Sequence, residues 1–194
     1  MRGSSGSFGI VTSIQVTTFA APSSATVFEY GWDLSVADAA NATLQFQNYV
    51  QTNIPQEFGA ELVIGAGSAS GRVSFGLTGG WYAPAEQLTD VIAPLLAALP
   101  TPSSASVQNG TYINSVQILG GSTLNTSTAP DVHDTFYAKS LMTPEASPMT
   151  EEALNAFMSY LGNEGFTADS VRFITSIYTS KPLYLIQSPH SNGS

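Results

Sequence analysis

Three stretches of this 194-residue chain gather residue types able to do chemistry. The first is Arg2-Gly3-Ser4-Ser5-Gly6-Ser7-Phe8-Gly9-Ile10-Val11. Small residues bunched before a strand let backbone N–H groups approach a phosphate or a planar ring without a Cβ in the way. The same composition also marks an ordinary chain terminus. The second is His133 beside Asp131 and Asp134. A metal or acid–base role needs more partners, and the only other histidine is His190 in the tail, so no metal site is predicted. The third is aromatic: Tyr30, Trp32, Trp81 and Tyr82 make a sugar-stacking platform if exposed and core anchors if buried. Serines are plentiful, but neither a Gly-X-Ser-X-Gly elbow nor a histidine partner supports a hydrolase.

Composition removes other classes. The absence of cysteine excludes a disulfide framework, a thiolate metal site and a cysteine nucleophile from this chain. With 14 acidic and 5 basic side chains the net charge is −9, and five scattered cations cannot track a phosphate backbone. Nucleic acid and membrane are therefore excluded as partners; the longest apolar run, Val91 to Leu99, is broken by Pro94 and falls short of the ~20 residues a spanning helix needs. Only 10% of residues are charged, against about 25% in ordinary soluble domains. Hydroxyls, amides and attached sugars must supply solubility, and Asn-X-Ser/Thr acceptors stand at Asn41, Asn109, Asn125 and Asn192. This pattern predicts a secreted glycoprotein. Met1 to Gly6 lacks the apolar core of a signal peptide, which implies a missing beginning.

The elements that would position these residues follow from periodicity. β-Branched alternation predicts a strand over Gly9 to Phe19 and another over Thr26 to Trp32. Ser35 with Asp38 caps a helix that Pro55 stops. Glu61 to Gly65 and Arg72 to Gly80 form a hairpin with a flexible tip, and Pro84 to Leu99 forms a helix that Pro94 should kink or divide. Thr111 to Leu119 is a short helix or a strand. Phe136 to Met142 is extended, and Ser147-Pro148 caps a helix with Leu154, Phe157, Met158 and Leu161 on one face, ended by Gly162 or Gly165. Val171 to Tyr178 and Leu183 to Gln187 are further strands. The predicted class is α+β: a largely antiparallel sheet with helices packed on one face.

The segment from Arg2 to Val11 resembles the Arg-Gly-Gly-Gly-x-Asn-Phe-Gly-Ile-Val stretch that closes the flavin-binding domain of FAD-linked oxidases of the berberine bridge enzyme-like group. Gly3, Phe8, Gly9, Ile10 and Val11 match in register. Asp134-Thr135-Phe136-Tyr137-Ala138-Lys139-Ser140-Leu141 is similar to the Phe-Tyr-Ala-Lys-Ser strand of fungal members resembling glucooligosaccharide oxidase. Gly79-Gly80-Trp81-Tyr82, a proline-containing helix and Gln117 before Gly120-Gly121 lie between the two in the expected order. The resemblance covers roughly residues 2–170.

It implies three parts: residues 1–11 as the end of a flavin-binding domain, 12–187 as a substrate-binding domain whose sheet roofs the flavin, and 188–194 as a polar tail. In the family a substrate C–OH is oxidised by hydride transfer to FAD, which O2 reoxidises. The implied FAD-binding residues are Gly3, Gly6, Gly9 and Val11; the implied substrate-binding residues are Glu61, Gln117, Tyr137 and Lys139, facing an oligosaccharide or related alcohol. No catalytic residue is assigned, because the flavin domain, its histidine and cysteine attachments and the tyrosine base are not in this chain. The expectation is the substrate-binding portion of a secreted FAD-dependent oxidoreductase, inactive alone, not retaining FAD, and self-associating through a sheet face that the missing flavin domain would cover. The alternative is a secreted non-catalytic binding or interaction domain that kept the fold.

Overall fold

The computed structural model describes residues 10, 12–13, 15–121, 147–165 and 172–177, the last as backbone. Among these residues the elements run β1 (Ala25–Ser35), α1 (Val36–Val50), β2 (Phe58–Ala66), β3 (Arg72–Trp81), α2 (Leu88–Ala98), β4 (Ser104–Gly110), α3 (Tyr112–Leu119), α4 (Glu151–Ser159) and β5 (Arg172–Ile177). The strands form one antiparallel sheet in the order β4-β1-β3-β2-β5. The class is α+β.

Alternation sorts the side chains onto two faces. Phe28, Trp32 and Leu34 of β1, Phe58, Ala60, Leu62 and Ile64 of β2, and Val73, Phe75, Leu77 and Trp81 of β3 are buried on one face. Against them pack Phe46 and Tyr49 of α1, Leu88, Ile92 and Leu95 of α2, and Leu154 and Met158 of α4. Apolar residues at i, i+4 and i+7 give α2 the stripe that this packing requires. Both tryptophans are core anchors. Trp32 donates its indole N–H to the Pro100 carbonyl (2.7 Å) and Trp81 to that of Pro84 (2.9 Å).

Ser35 caps α1 as the sequence predicts, its hydroxyl accepting from the Asp38 N–H. Three expectations need correction, and one strand had no forecast. Thr12, Ser13 and residues 15–20 form no strand and lie exposed, Val16 at 69% and Phe19 at 81%, because a strand exists only where a ladder partner satisfies its backbone. β4 is a strand that hydrophobic patterning misses, since Ser-Ala-Ser-Val-Gln-Asn-Gly has almost no apolar content. α2 passes through Pro94 undivided; the proline and Asp90, whose carbonyl it leaves without a donor, both face solvent. The last long helix starts at Thr150, not Ser147. The Gln47 side chain accepts from the Met149 N–H (3.0 Å) and donates to the Met149 carbonyl (3.0 Å), holding that residue outside the helix, while the Thr150 hydroxyl accepts from Ala153 N–H. A π-helical turn, Tyr160–Glu164, then carries the chain to Gly165.

The tip of the β2–β3 hairpin is tied down. Asp33 accepts from the hydroxyl (2.7 Å) and backbone N–H (3.1 Å) of Ser68 and pairs with Arg72 at 3.2 Å; Arg72 also donates to the Asp33 carbonyl. Gly71, with φ +80°, makes the turn, and its N–H donates to the Gly162 carbonyl (2.8 Å). The strands expected at Phe136 to Met142 and Leu183 to Gln187 lie outside the described residues.

Candidate functional site

The other sheet face is built mostly of glycine and polar residues. From register, one row across it reads Ser106, Glu29, Thr78, Glu61; the next reads Ser104, Gly31, Gly76, Val63; a third reads Gln108, Val27, Gly80, Gly59. Glu29 and Glu61 therefore stand on either side of Thr78, about 10 Å apart at ordinary strand spacing. Glu29 is exposed, and Glu61 and Thr78 are half-buried.

Glycine keeps this face flat. A β-carbon on Gly59 would meet nothing within 4 Å, so open space stands above that strand. On Gly80 it would fall 2.8 Å from the Tyr82 hydroxyl, which places the half-buried Tyr82 ring over this face. Tyr82 contacts Tyr112 of α3, ring centroids 6.0 Å apart and tilted by 55°. Asn114 of α3 stands over Gly110, and Ala25 and Val27, whose side chains point to this face, are buried. Thus α3 closes one end of the face and the Tyr82–Tyr112 pair edges the part left open. Thr111 starts α3 with a reciprocal cap: its hydroxyl accepts from Asn114 N–H and Asn114 Oδ1 accepts from Thr111 N–H (3.2 Å).

Carboxylates, a threonine hydroxyl and a tyrosine edge on a flat floor suit a polyhydroxylated ligand. Carboxylates accept from sugar hydroxyls, and aromatic rings stack on the apolar face of a pyranose. The described residues include no group of three or more metal-ligating side chains, and no helix among them is long and apolar enough to cross a membrane.

Of the predicted substrate residues, Glu61 lies on this face. Gln117 is half-buried on α3, which lies against β1, two strands from Glu61's β2. Tyr137 and Lys139, and the predicted flavin residues Gly3, Gly6, Gly9 and Val11, lie outside the described residues, as do His133 and Asn125. Asn41 is exposed on α1 and Asn109 on β4. Sequence reasoning missed Glu29. The chain held only part of the signal: Glu29 and Glu61 each stand in a run of apolar and small residues, and that both oppose Thr78 comes from strand register.

No protein-family model matches the chain. It is 28% identical over 162 residues to the glucooligosaccharide oxidase of Sarocladium strictum, covering 82% of this chain and 31% of that protein. The chain is a distant homologue of the oligosaccharide oxidases. The chitooligosaccharide oxidase of Gibberella zeae is 24% identical over 168 residues, 85% of this chain and 32% of that protein. Among solved structures, the BBE-like 1 protein of Physcomitrella patens shares the fold with a TM-score of 0.65 at 21% identity, covering 82% of this chain and 33% of that one. The glucooligosaccharide oxidase of Acremonium strictum does so with a TM-score of 0.61 at 23% identity, over 80% and 30%. The chain thus spans about a third of the length of these oligosaccharide-oxidase relatives.

That last enzyme is described as holding a 6-S-cysteinyl, 8α-N1-histidyl FAD. This chain has no cysteine and its two histidines lie outside the described residues, so the residues described here do not fit the attachment of that cofactor.

Proposed function

We propose that this chain is the saccharide-holding portion of an FAD-dependent oxidase that oxidises a hydroxyl of an oligosaccharide or related alcohol with O2 as acceptor. The reading is carried by the relationship to glucooligosaccharide oxidase over 82% of the chain, and it gains support from the face of Glu29, Thr78, Glu61 and Tyr82. On this reading Glu29 and Glu61 accept hydrogen bonds from ring hydroxyls, Thr78 bridges them, and Tyr82 and Tyr112 stack on a sugar ring. The flat glycine floor admits the ring without a Cβ in its way. FAD, the hydride acceptor, is bound by residues beyond this face.

Binding tests it directly. Gluco- and chitooligosaccharides are titrated into the full chain by calorimetry, with Glu61→Gln and Tyr82→Ala as variants. Saturable binding weakened about tenfold by either change is expected, the worth of one hydrogen bond to a charged group or one stacked ring. Absence of saturable binding to every oligomer, or wild-type affinity in both variants, overturns it.

A further inference from the structure

The helix layer leaves β4 uncovered. This outermost strand has no ladder partner on its far side among the described residues, and on its helix side Ala105, Val107 and Asn109 are exposed, Val107 at 54%. Tyr112, Ile113 and Leu119 of the neighbouring α3 are exposed too. A strand edge left uncovered is a template for another strand, and proteins ordinarily blunt it with charge, proline or a cover. β4 carries neither charge nor proline.

Asn109 stands on this edge and opens Asn109-Gly110-Thr111, the acceptor pattern for an N-linked oligosaccharide. Its side-chain oxygen accepts from the hydroxyls of Ser24 (3.0 Å) and Thr26 (3.3 Å), and Thr26 is buried. The amide oxygen is therefore turned inward, which leaves Nδ2, on the opposite branch of the amide, toward solvent. We propose that Asn109 is N-glycosylated and that its glycan is the cover of the β4 edge. In the transfer Nδ2 loses a proton and bonds to the anomeric carbon of an oligosaccharide. The bond from that carbon to a lipid pyrophosphate breaks, and the pyrophosphate leaves with the electron pair. The bonds to Oδ1 from Ser24 and Thr26 survive the reaction and keep the sugar-bearing branch turned away from them. Asn41 carries the same pattern but sits on α1, whose backbone is satisfied within the helix, so a sugar there covers no edge.

The full chain is secreted from a eukaryotic host behind a cleavable leader, alongside Asn109→Gln, Thr111→Ser and Thr111→Ala. Asn109→Gln keeps a neutral amide on β4 and removes the sugar. Enzymatic release of glycans in heavy-oxygen water, followed by peptide mass spectrometry, is expected to find labelled aspartate at position 109 in the wild type and in Thr111→Ser, and unlabelled asparagine in Thr111→Ala. Light scattering is expected to show the glycosylated chain remaining monomeric at a concentration where Asn109→Gln associates. Unmodified Asn109 in the secreted wild type overturns the modification, and equal association of glycosylated wild type and Asn109→Gln overturns the covering role.

Discussion

The Tyr82 hydroxyl occupies the place a Gly80 side chain would take, 2.8 Å from where its β-carbon would stand. The crowding atoms belong to the far end of one side chain, which can swing away. At Gly79, one residue earlier on the opposite face, a β-carbon would lie 2.3 Å from the Phe28 ring and 2.4 Å from the Gly59 carbonyl, and neither can yield.

Gly79→Ala is therefore expected to destabilise the fold by about 1–3 kcal/mol or more, in the range of overpacked cores, while Gly80→Ala costs about 1 kcal/mol or less and loses saccharide binding by displacing Tyr82. Urea midpoints and binding isotherms for the two variants separate these outcomes.

The hydrogen bonds from Ser68, aided by Arg72, hold the Asp33 carboxyl below its usual range. A carboxylate whose pKa is depressed by folding stabilises the native state above the ordinary aspartate range, and loses that contribution as pH falls through its folded value. Asp33 and Arg72 are each more than a third exposed, so the ion pair itself is worth under about 1 kcal/mol. Asp33→Asn is expected to lower the melting temperature at neutral pH, with the difference from wild type shrinking toward about pH 2. A difference that does not change with pH contradicts this.

Burial pushes the Tyr49 phenol up to about 12, and its hydroxyl donates to the Val91 carbonyl at 2.8 Å, joining α1 to α2. Here the folded value lies above the unfolded 10.0, so the contribution is complete below that pH and is lost as pH rises from there toward 12. Tyr49→Phe is expected to cost about 1 kcal/mol at neutral pH, with the deficit closing in alkali. Denaturation midpoints across that range, with the ultraviolet tyrosinate signal, measure it.

Thr150, not Ser147, caps α4. Thr150→Ala is expected to cost about 1 kcal/mol, and Ser147→Ala to leave the melting temperature unchanged within error. The reverse ranking would place the start of the helix at Ser147.

Elements with a local signal were legible. Ser35 announces α1, and the alternation of β1, β2 and β3 follows from apolar residues spaced by two. β4 was not legible because its pairing with β1, not its own composition, makes it a strand. Residues 15–20 show the converse: a good alternating pattern stays unpaired without a ladder partner. Glu61 was picked out through resemblance, and Glu29 was overlooked, because nothing near it in the chain says that it faces the same threonine.

Composition, charge and the absence of cysteine were settled by the residues alone, since each is a count over single positions. Which carboxylates share a face, that Tyr82 lies over Gly80, and that Asn109 turns its oxygen inward depend on strand register. Register joins residues dozens of positions apart, so only the assembled sheet could decide them.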